Sequence, residues 1–473
     1  MAKIMISFAT EDFVAPEHND AILRLSSILA ERGIRGSFHV TGEYARHLRD
    51  EQRTDVIDAL KKHEIGYHSN THGTFPFIGE VCENNSWDEA VSILMRTEAR
   101  GMLDVLDIFD VRPKYYVIEF VKAPQLIYAL RNLGVDAIGF SNIPSSGAPF
   151  NHYAGSICFG APHMGVESPP APDRLDALKK EFDAHYKKAK EGAFDGVIKL
   201  FNHPYKFAYN NSIASWVSLN NIYREYDIHG SWEAPKTSLY DSQTFEKLFS
   251  EFEQLIDYAL SKGDVEFIGT SDLVDQYRED IPKFIDIKIV AKLAKGIRDN
   301  FSWQSANETF YSPAEIFGML VYALKYFAER KELPARVPHR SPLGPVEDIP
   351  ENPGNYSIPA GALFERMKFV DQELDFYGRM PSAIKINGKD TPPGMCLFAF
   401  AEILIQIIDS ATPDSIVFKP APDLPKIAEQ PYFQAEEFAR EIYPEGFTGK
   451  KICKDCRLQS WTYKPAKLKK RQG

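Results

Sequence analysis

Two histidines four residues apart, His68 and His72, give the strongest chemical signal in this sequence. They lie in the stretch IGYHSNTHG, between Gly66 and Gly73 and directly after a β-type segment. Two imidazoles at this spacing can bind one divalent ion on a helical turn or in a tight loop, and the glycines favour a loop at a strand end. Two surface histidines would show the same spacing, so the metal interpretation depends on what else converges on them.

A pair of adjacent acids, Glu11 and Asp12, follows a β-type start in the stretch ISFATEDF near the N-terminus. The two acids are either a metal ligand and a base, or a helix cap and a solvated charge. An aspartate that joins two histidines leaves coordination positions open on zinc or a similar ion, which is typical of a catalytic site rather than a structural one. We therefore predict that Asp12, His68 and His72 bind a divalent metal, Zn²⁺ first and Ni, Co or Mn as alternatives.

A third polar strand end is KLFNHPYKF, where His203 follows an apolar run and precedes a proline. We expect the His203 side chain to point into the same opening at the strand ends as the metal ligands, although a hydrogen-bonded loop histidine would fit the same pattern. His163 in GAPHMG is a further candidate. Trp216 and Trp232 belong to a long aromatic and polar insertion, and such rings can stack on a sugar or simply pack within their own loop.

Positioning these residues requires a particular architecture. Up to about residue 285 the chain alternates short β-branched or aromatic runs with amphipathic stretches, and Gly33 and Gly263 stand just past two of the helical patterns. Strand and helix alternation at this spacing predicts parallel strands with crossover helices, in a complete or irregular β/α barrel over residues 1–285. In such a barrel, chemistry lies at the carboxyl ends of the strands.

Beyond that point the pattern predicts a mainly helical repeat region over residues 286–425, with three related units. Each unit has a proline near a helix start, an amphipathic helix, and then Pro334, Pro381 or Pro413 before a short extended run. Residues 426–473 form a C-terminal extension with a basic tail. Its Cys453 and Cys456 make a lone CxxC, which lacks the second ligand pair that a structural zinc site needs.

Composition excludes several classes of function. The formal net charge of −11 argues against nucleic acid as the main partner. Five cysteines in 473 residues do not make a disulfide framework. We expect a cytoplasmic protein, because the N-terminus has no signal-peptide pattern and no apolar run is long enough to span a bilayer.

These motifs together resemble the polysaccharide deacetylase family of metal-dependent carbohydrate esterases, of the nodulation-deacetylase type. The resemblance covers residues 1–280 and rests on ISFATEDF, GIRGSFHVTG, HSNTH and KLFNHPY. It implies an irregular β/α barrel and a metal held by Asp12, His68 and His72. It further implies that His203 protonates the departing amine as an acyl group leaves an N-acylated sugar.

The sequence also departs from that family. Ala9 stands where one form of the first motif has its base, so Glu11 would take that role, as the first of two adjacent acids does in a shorter form of the motif. The Arg-x-Pro motif that orients the base is absent, because Arg112–Pro113 comes before its strand. Glu119, at the end of that strand, is a second candidate for the missing carboxylate.

The repeats after residue 300 weakly resemble pseudomurein-binding or related cell-wall-binding repeats, which suggests polymer binding or self-association. The main hypothesis is a metal-dependent hydrolase that removes an acyl group, typically acetyl, from an N-acylated sugar or polysaccharide. Two alternatives stay open: a degenerate, non-catalytic glycan-binding protein, and a barrel hydrolase of small amides.

Overall fold

The structure is a computed structural model, which describes residues 1–12, 16–72, 77–118, 123–139, 147–160, 162–209, 239–278, 282–409, 412–427 and 447–468. Three of the candidate residues, Glu119, Trp216 and Trp232, lie outside these ranges. Among the helices that are described, none combines the length and the apolar composition that crossing a membrane requires.

The barrel and its C-terminal addition contain one mixed sheet of eleven described strands. In chain order they are β1 (Ala2–Thr10), β2 (Ser37–Val40), β3 (Glu64–Tyr67), β4 (Tyr115–Val117), β5 (Ala137–Gly139), β6 (Phe150–Tyr153), β7 (Ser156–Phe159), β8 (His163–Gly165), β9 (Val197–Asn202), β10 (Val265–Phe267) and, from the C-terminal extension, β19 (Lys464–Pro465). The parallel strands run in the order β8, β9, β1, β2, β3, β4, β5 and β7, and β6 and β19 continue the sheet by antiparallel pairing.

Strand β1 is the centre of this sheet. Strand β9 pairs along one side of it, and β2 and β10 share the other side, at the carboxyl and amino halves of β1 respectively. Ile4 and Phe8 pack in the apolar core on one face of the sheet and Met5 and Ala9 in the core on the other, so nearly all residues of β1 are buried. This explains why its sequence is an almost continuous apolar run rather than an alternating one.

Helices pack on the outside of the sheet and connect its strands. They are α1 (Glu17–Glu31), α2 (Gly42–Asp50), α3 (Thr54–Leu60), α4 (Ile78–Asn84), α5 (Trp87–Phe109), α6 (Pro124–Asn132), α7 (Arg174–Lys190), α8 (Ser242–Ser261) and α9 (Thr270–Asp275), with short 3₁₀ turns at Ala193–Gly196 and Pro204–Phe207. Gly33 and Gly263, just past α1 and α8, have φ of +66° and +74°, as the sequence predicted for left-handed helix ends. The prediction of an irregular (β/α) barrel is confirmed.

The following region is mainly helical, also as predicted. Its helices are α10 (Ile287–Asp299), α11 (Pro313–Arg330), α12 (Ala360–Tyr377) and α13 (Pro393–Ile408), and its strands are β11 (Phe284–Asp286), β12 (Gln304–Ala306), β13 (Thr309–Tyr311), β14 (Arg336–Pro338), β15 (Tyr356–Pro359), β16 (Ile384–Ile386), β17 (Lys389–Thr391) and β18 (Ser415–Phe418).

The sequence predicts three repeat units in this region. In the structure, the helices and strands repeat instead as two longer units. Each one runs strand, helix, hairpin, helix, strand, and its two outer strands pair with each other, β11 with β14 and β15 with β18. Helices α11, α12 and α13 are those of the three predicted units. Two units result because the hairpin β12–β13 connects α10 to α11 and the hairpin β16–β17 connects α12 to α13.

The C-terminal extension, with α14 (Lys450–Leu458), the 3₁₀ turn Gln459–Thr462 and β19, joins the barrel to the helical region. Ile452 and Tyr463 belong to the apolar core of the barrel, whereas Trp461 belongs to the core of the helical region. Gln125 of α6 also donates a hydrogen bond of 2.6 Å to the buried Asp455 carboxylate. The extension is therefore part of both cores.

Glu315, in the first turn of α11, is the main polar link at this junction. One carboxylate oxygen accepts hydrogen bonds from Lys464 Nζ at 3.0 Å and Ser341 Oγ at 3.1 Å, and it lies 3.1 Å from His339 Nε2. The other oxygen accepts the Ser312 backbone N–H at 2.7 Å, which completes a capping box. Burial raises the pKa of this carboxyl, but the Lys464 ammonium and His339 more than offset burial and hold the pKa well below its ordinary value.

We expect Glu315→Ala to lower the free energy of unfolding by about 3–5 kcal/mol at pH 7, because it leaves the buried Lys464 ammonium without its counter-charge. The pKa of Glu315 is lowered on folding, so its contribution is present above the unfolded value and is lost as the pH falls below about 4.5. Urea denaturation at several pH values measures both effects.

The matched control is Glu308→Ala, which removes an exposed carboxylate 3.2 Å from Lys467 Nζ. That variant should change the unfolding free energy by less than about 1 kcal/mol. Equal losses in the two variants would contradict the assignment of Glu315 as the main link.

Candidate metal centre

The parallel strands bring three chain segments to one mouth. Glu11 and Asp12 follow β1, His68 follows β3, and His203 follows β9. Since β1, β3 and β9 run in the same direction, their carboxyl ends open at the same end of the barrel. The convergence expected from the sequence is therefore present at the level of the backbone.

Glu11, His68 and His72 form a compact group of potential ligands. One ligand atom from each lies within 4.8 Å of the other two. The His68 and His72 ring centroids are 4.6 Å apart, and His68 Nε2 is 3.9 Å from Glu11 Oε2. All three residues are buried. One carboxylate and two imidazoles are a donor set that suits zinc and similar divalent ions.

The orientation of His68 is fixed by a hydrogen bond to the neighbouring strand. His68 Nδ1 lies 2.7 Å from the Val117 carbonyl oxygen, so this nitrogen carries the proton and donates. Burial lowers the pKa of His68 to about 3, which keeps the ring neutral. Its Nε2 therefore presents a lone pair toward Glu11, as expected of a metal-binding histidine whose other nitrogen donates to a backbone carbonyl.

Two buried atoms of this group lack a hydrogen-bond partner within the described chain, namely Glu11 Oε2 and His68 Nε2. Buried polar atoms are rarely left in this state unless a water or an ion binds them. The group therefore fits a metal ion by its chemistry and by its unsatisfied atoms.

His72 reaches the group through an unusual backbone path. Ser69 and His72 have φ of +68° and +36°, values that L-residues adopt rarely. The Ser69 hydroxyl accepts the His72 backbone N–H at 2.9 Å and so stabilises the turn. The turn places both imidazoles on one side, which confirms the tight loop expected from the sequence. Backbone strain of this kind often accompanies a functional site.

The charge of Glu11 is costly without a cation nearby. Burial, reinforced by Asp12 and Glu167 and opposed by His203, raises the pKa of Glu11 to about 7. A bound divalent ion would reverse this effect, because it favours the carboxylate over the acid.

His203 is held by a carboxylate that the sequence reading missed. Glu167, just after β8, accepts hydrogen bonds from His203 Nδ1 at 2.6 Å, from the His203 backbone N–H at 2.8 Å and from Lys206 Nζ at 2.9 Å. Burial raises the pKa of Glu167, but His203 and Lys206 outweigh it and lower the pKa to about 2. Glu167 thus stays ionised and fixes the imidazole.

The opposite nitrogen of His203 faces the candidate metal group. His203 Nε2 lies 3.6 Å from Glu11 Oε1, and 22% of the His203 side chain is exposed, so it can meet a molecule that enters the mouth. Burial lowers the pKa of His203, but the carboxylates of Glu11 and Glu167 outweigh burial and raise it. The ring is therefore biased toward its protonated form.

Asp12 occupies a neighbouring position. It is buried, and its carboxylate lies beside the Tyr209 phenol, whose pKa is raised by burial and by Asp12. The compact group described above contains Glu11 and not Asp12 among its three members. The two adjacent acids thus have different surroundings, which the sequence could not distinguish.

The remaining sequence candidates lie elsewhere. His163 starts β8 and is exposed, so it lies at the opposite end of that strand from Glu167 and the mouth. Ala9 is fully buried in the apolar interior of the barrel. Arg112 precedes β4, as its position in the sequence indicated, and donates to the Leu133 carbonyl.

Two residues near the mouth were missed. Glu167 would have been found if HMG had been recognised as a short strand, because an acid then follows its carboxyl end. His18 is fully buried in α1, T-shaped against Tyr44 with ring centroids 5.2 Å apart, and burial and His203 lower its pKa to about 3. A histidine on the apolar face of a predicted helix gives no such signal by itself.

Comparisons with known proteins give fold-level likeness only. No family model matches the sequence, and no curated protein matches it either. Among solved structures, a Mycobacterium smegmatis protein assigned as a polysaccharide deacetylase is similar at 15% identity and a TM-score of 0.38, over 58% of this chain and 88% of that chain.

A CE4 family pseudoenzyme from Bacillus anthracis is similar at 12% identity and a TM-score of 0.31, over 58% of this chain and 66% of that one. Puue allantoinase is similar at 11% identity and a TM-score of 0.35, over 58% and 89% of the two chains. Likeness at this level carries no information about activity, which the residues of the site themselves must supply.

Separate variants of the two acids can identify the carboxylate ligand. From the geometry, Glu11→Gln should weaken zinc binding by at least about tenfold, because it removes a ligand charge that faces both imidazoles. Asp12→Asn should retain bound zinc. Metal content after dialysis and competition with a chromogenic chelator measure both affinities.

Glu181→Gln, an exposed carboxamide substitution on α7, serves as the control and should bind zinc as the wild type does. Loss of zinc in Asp12→Asn together with its retention in Glu11→Gln would contradict the geometric assignment and support Asp12 as the ligand.

Proposed function

We propose that this protein is a metal-dependent hydrolase that removes an acyl group, typically acetyl, from an N-acylated sugar. The observation that carries the proposal is that a group of metal ligands and an oriented histidine lie together in one mouth. One is the ligand group of Glu11, His68 and His72, and the other is His203, oriented by Glu167 and facing Glu11. A metal site with an adjacent oriented imidazole suits hydrolysis of an amide.

In this proposal His68, His72 and a carboxylate hold the ion, and Glu11 is the carboxylate that the geometry favours. A bound divalent ion would lower the pKa of water and polarise the acyl carbonyl. Asp12 would then be available to take the proton from the attacking water. This division of roles reverses the one inferred from the sequence, in which Asp12 is the ligand and Glu11 the base.

His203 acts as the general acid in this proposal. Amide cleavage requires a proton on the departing nitrogen, since an amine does not leave as an anion. Glu11 and Glu167 bias His203 toward its protonated form, and the hydrogen bond to Glu167 aims Nε2 at the mouth. Glu167 is therefore a positioning residue that acts through His203.

Two alternatives to the main proposal remain, a non-catalytic glycan-binding protein as the second candidate function and a hydrolase of small amides as the third. Ala9, buried in the barrel interior at the position of the base in one form of the family's first motif, fits a protein that binds a glycan without hydrolysing it. A third possibility is hydrolysis of a small cyclic or linear amide, since the same mouth chemistry serves any amide bond. Turnover assays with N-acetylated sugars and with small amides, together with a glycan-binding assay, separate these from the main proposal.

The direct test measures acetate release from N-acetylglucosamine oligomers after zinc or cobalt is restored. Wild-type protein should turn over, and chelation should abolish activity reversibly. His68→Ala should lower kcat/KM by at least about a hundredfold, because the ion loses a ligand.

The control His163→Ala changes an exposed histidine at the other end of β8 and should leave kcat/KM unchanged. Turnover of small amides alone would support the third function. Glycan binding without turnover, surviving in His72→Ala, would support the binding protein and reject the hydrolase.

A second test concerns the acid. Glu167→Gln removes a negative charge that raises the pKa of His203, so the imidazolium should lose its proton at a lower pH. We expect the alkaline limb of the kcat profile to move about one pH unit lower, and kcat to fall about tenfold or more.

Bound zinc should remain unchanged in Glu167→Gln, which separates positioning from metal loss. Asp183→Asn, which removes an exposed partner of Lys262, is the control. A lowered melting temperature with an unmoved pH profile would show that Glu167 is merely structural.

A further inference from the structure

A cavity that shares no lining residue with the mouth lies where three parts of the chain meet. Its volume is about 420 Å³, within the range of small-molecule sites. The barrel contributes Arg131 of α6, His152 of β6 and Ser156 of β7, the helical region contributes Ser312, and the C-terminal extension contributes Lys464. Ligand sites are common at such junctions between folded units.

The charges that line this cavity leave a positive excess. Its two acids already have partners: Glu315 binds Lys464, and Asp136 pairs with Arg278. Arg131 makes no ion pair with any described residue, and its guanidinium lies against Gly155 at the turn between β6 and β7. Gly155 has φ of +80°, and a Cβ there would lie 2.4 Å from Arg131 Nη1, so the guanidinium packs directly against the backbone of this turn.

One polar side chain in the wall lacks a partner, because His152 Nε2 has no hydrogen-bond partner in the described ranges. Ser156 pairs with Tyr153 across β6 and β7, so its side chain stands on the opposite face of the sheet from that of His152. His152 pairs with Lys464 across the antiparallel strands β6 and β19, so the two side chains stand on one face of the sheet. Burial and the Lys464 ammonium lower the pKa of His152 to about 3, so its neutral ring can donate one N–H.

We infer that this cavity binds a small molecule through an oxyanion group, a phosphate or a carboxylate, with Arg131 and His152 as its donors. The guanidinium supplies the charge and a planar pair of N–H groups that matches an oxyanion. The imidazole supplies a buried hydrogen bond. A metal cation does not suit the cavity, because its carboxylates are already engaged by cationic side chains.

Such a ligand would contact the barrel directly and lie beside the start of α11 and strand β19. It would therefore stabilise the arrangement of barrel, helical region and extension by binding the folded state. This inference is independent of the proposed hydrolase, since none of its residues belongs to the mouth.

The experiment is isothermal titration calorimetry of the full chain with two probes, inorganic phosphate and citrate. Wild-type protein should bind at least one of them saturably, in a 1:1 ratio. Arg131→Ala should weaken binding about tenfold or more, and His152→Leu should weaken it by a smaller factor. Arg131 is exposed on the surface of α6, so its truncation should leave the fold intact, which circular dichroism melting verifies.

Arg336→Ala, an exposed arginine in β14, is the charge-matched control and should bind as the wild type does. Binding of phosphate alone would identify a phosphate-bearing ligand, and binding of citrate alone a carboxylate. Absence of saturable binding for both probes, or wild-type affinity in Arg131→Ala, would overturn the inference.

Discussion

The burial of β1 on both faces is the constraint on which the rest of this structure depends. Ile4 and Phe8 on one face of β1 belong to one apolar core, and Met5 and Ala9 on the other face belong to a second. Strand β9 and the pair β2 and β10 hydrogen-bond to its two edges. All of these run parallel to β1, so their carboxyl ends meet. Glu11 and Asp12 leave β1 at that end, and they are buried there because the strand that carries them is buried.

Burial then sets the chemistry of the mouth. Burial lowers the pKa of His68 and His72, so both rings are neutral and can bind a metal ion. It also makes the negative charge of Glu11 costly, so a cation beside that carboxylate is favourable. His203 behaves differently, because two carboxylates flank it and outweigh the cost of burial. His68, which is neutral, and His203, which is biased toward its protonated form, thus both face Glu11, and their carboxylate neighbours make the difference.

Neighbouring charges also offset the cost of burying a carboxylate where the C-terminal extension meets the barrel and the helical region. Glu315 is buried and ionised because Lys464 and His339 surround it, and this one carboxylate joins the start of α11 to strand β19. The extension adds a strand to the barrel sheet and a tryptophan to the helical core. Barrel, helical region and extension are therefore held together by buried polar contacts as well as by apolar packing.

The sequence by itself determined the class of fold and the segments that carry the chemistry. Strand and helix alternation predicted a complete or irregular β/α barrel, because apolar periodicity is local, and the resemblance of the motifs implied the irregular form. The polar residues after β1, β3 and β9 marked the mouth. Tertiary structure decided which of two adjacent acids faces His68, since one residue of register at a strand end turns a side chain to another face. It also decided that Glu167 supports His203 and that helices pair into two units, because such contacts join residues that are distant in the chain and leave no local pattern.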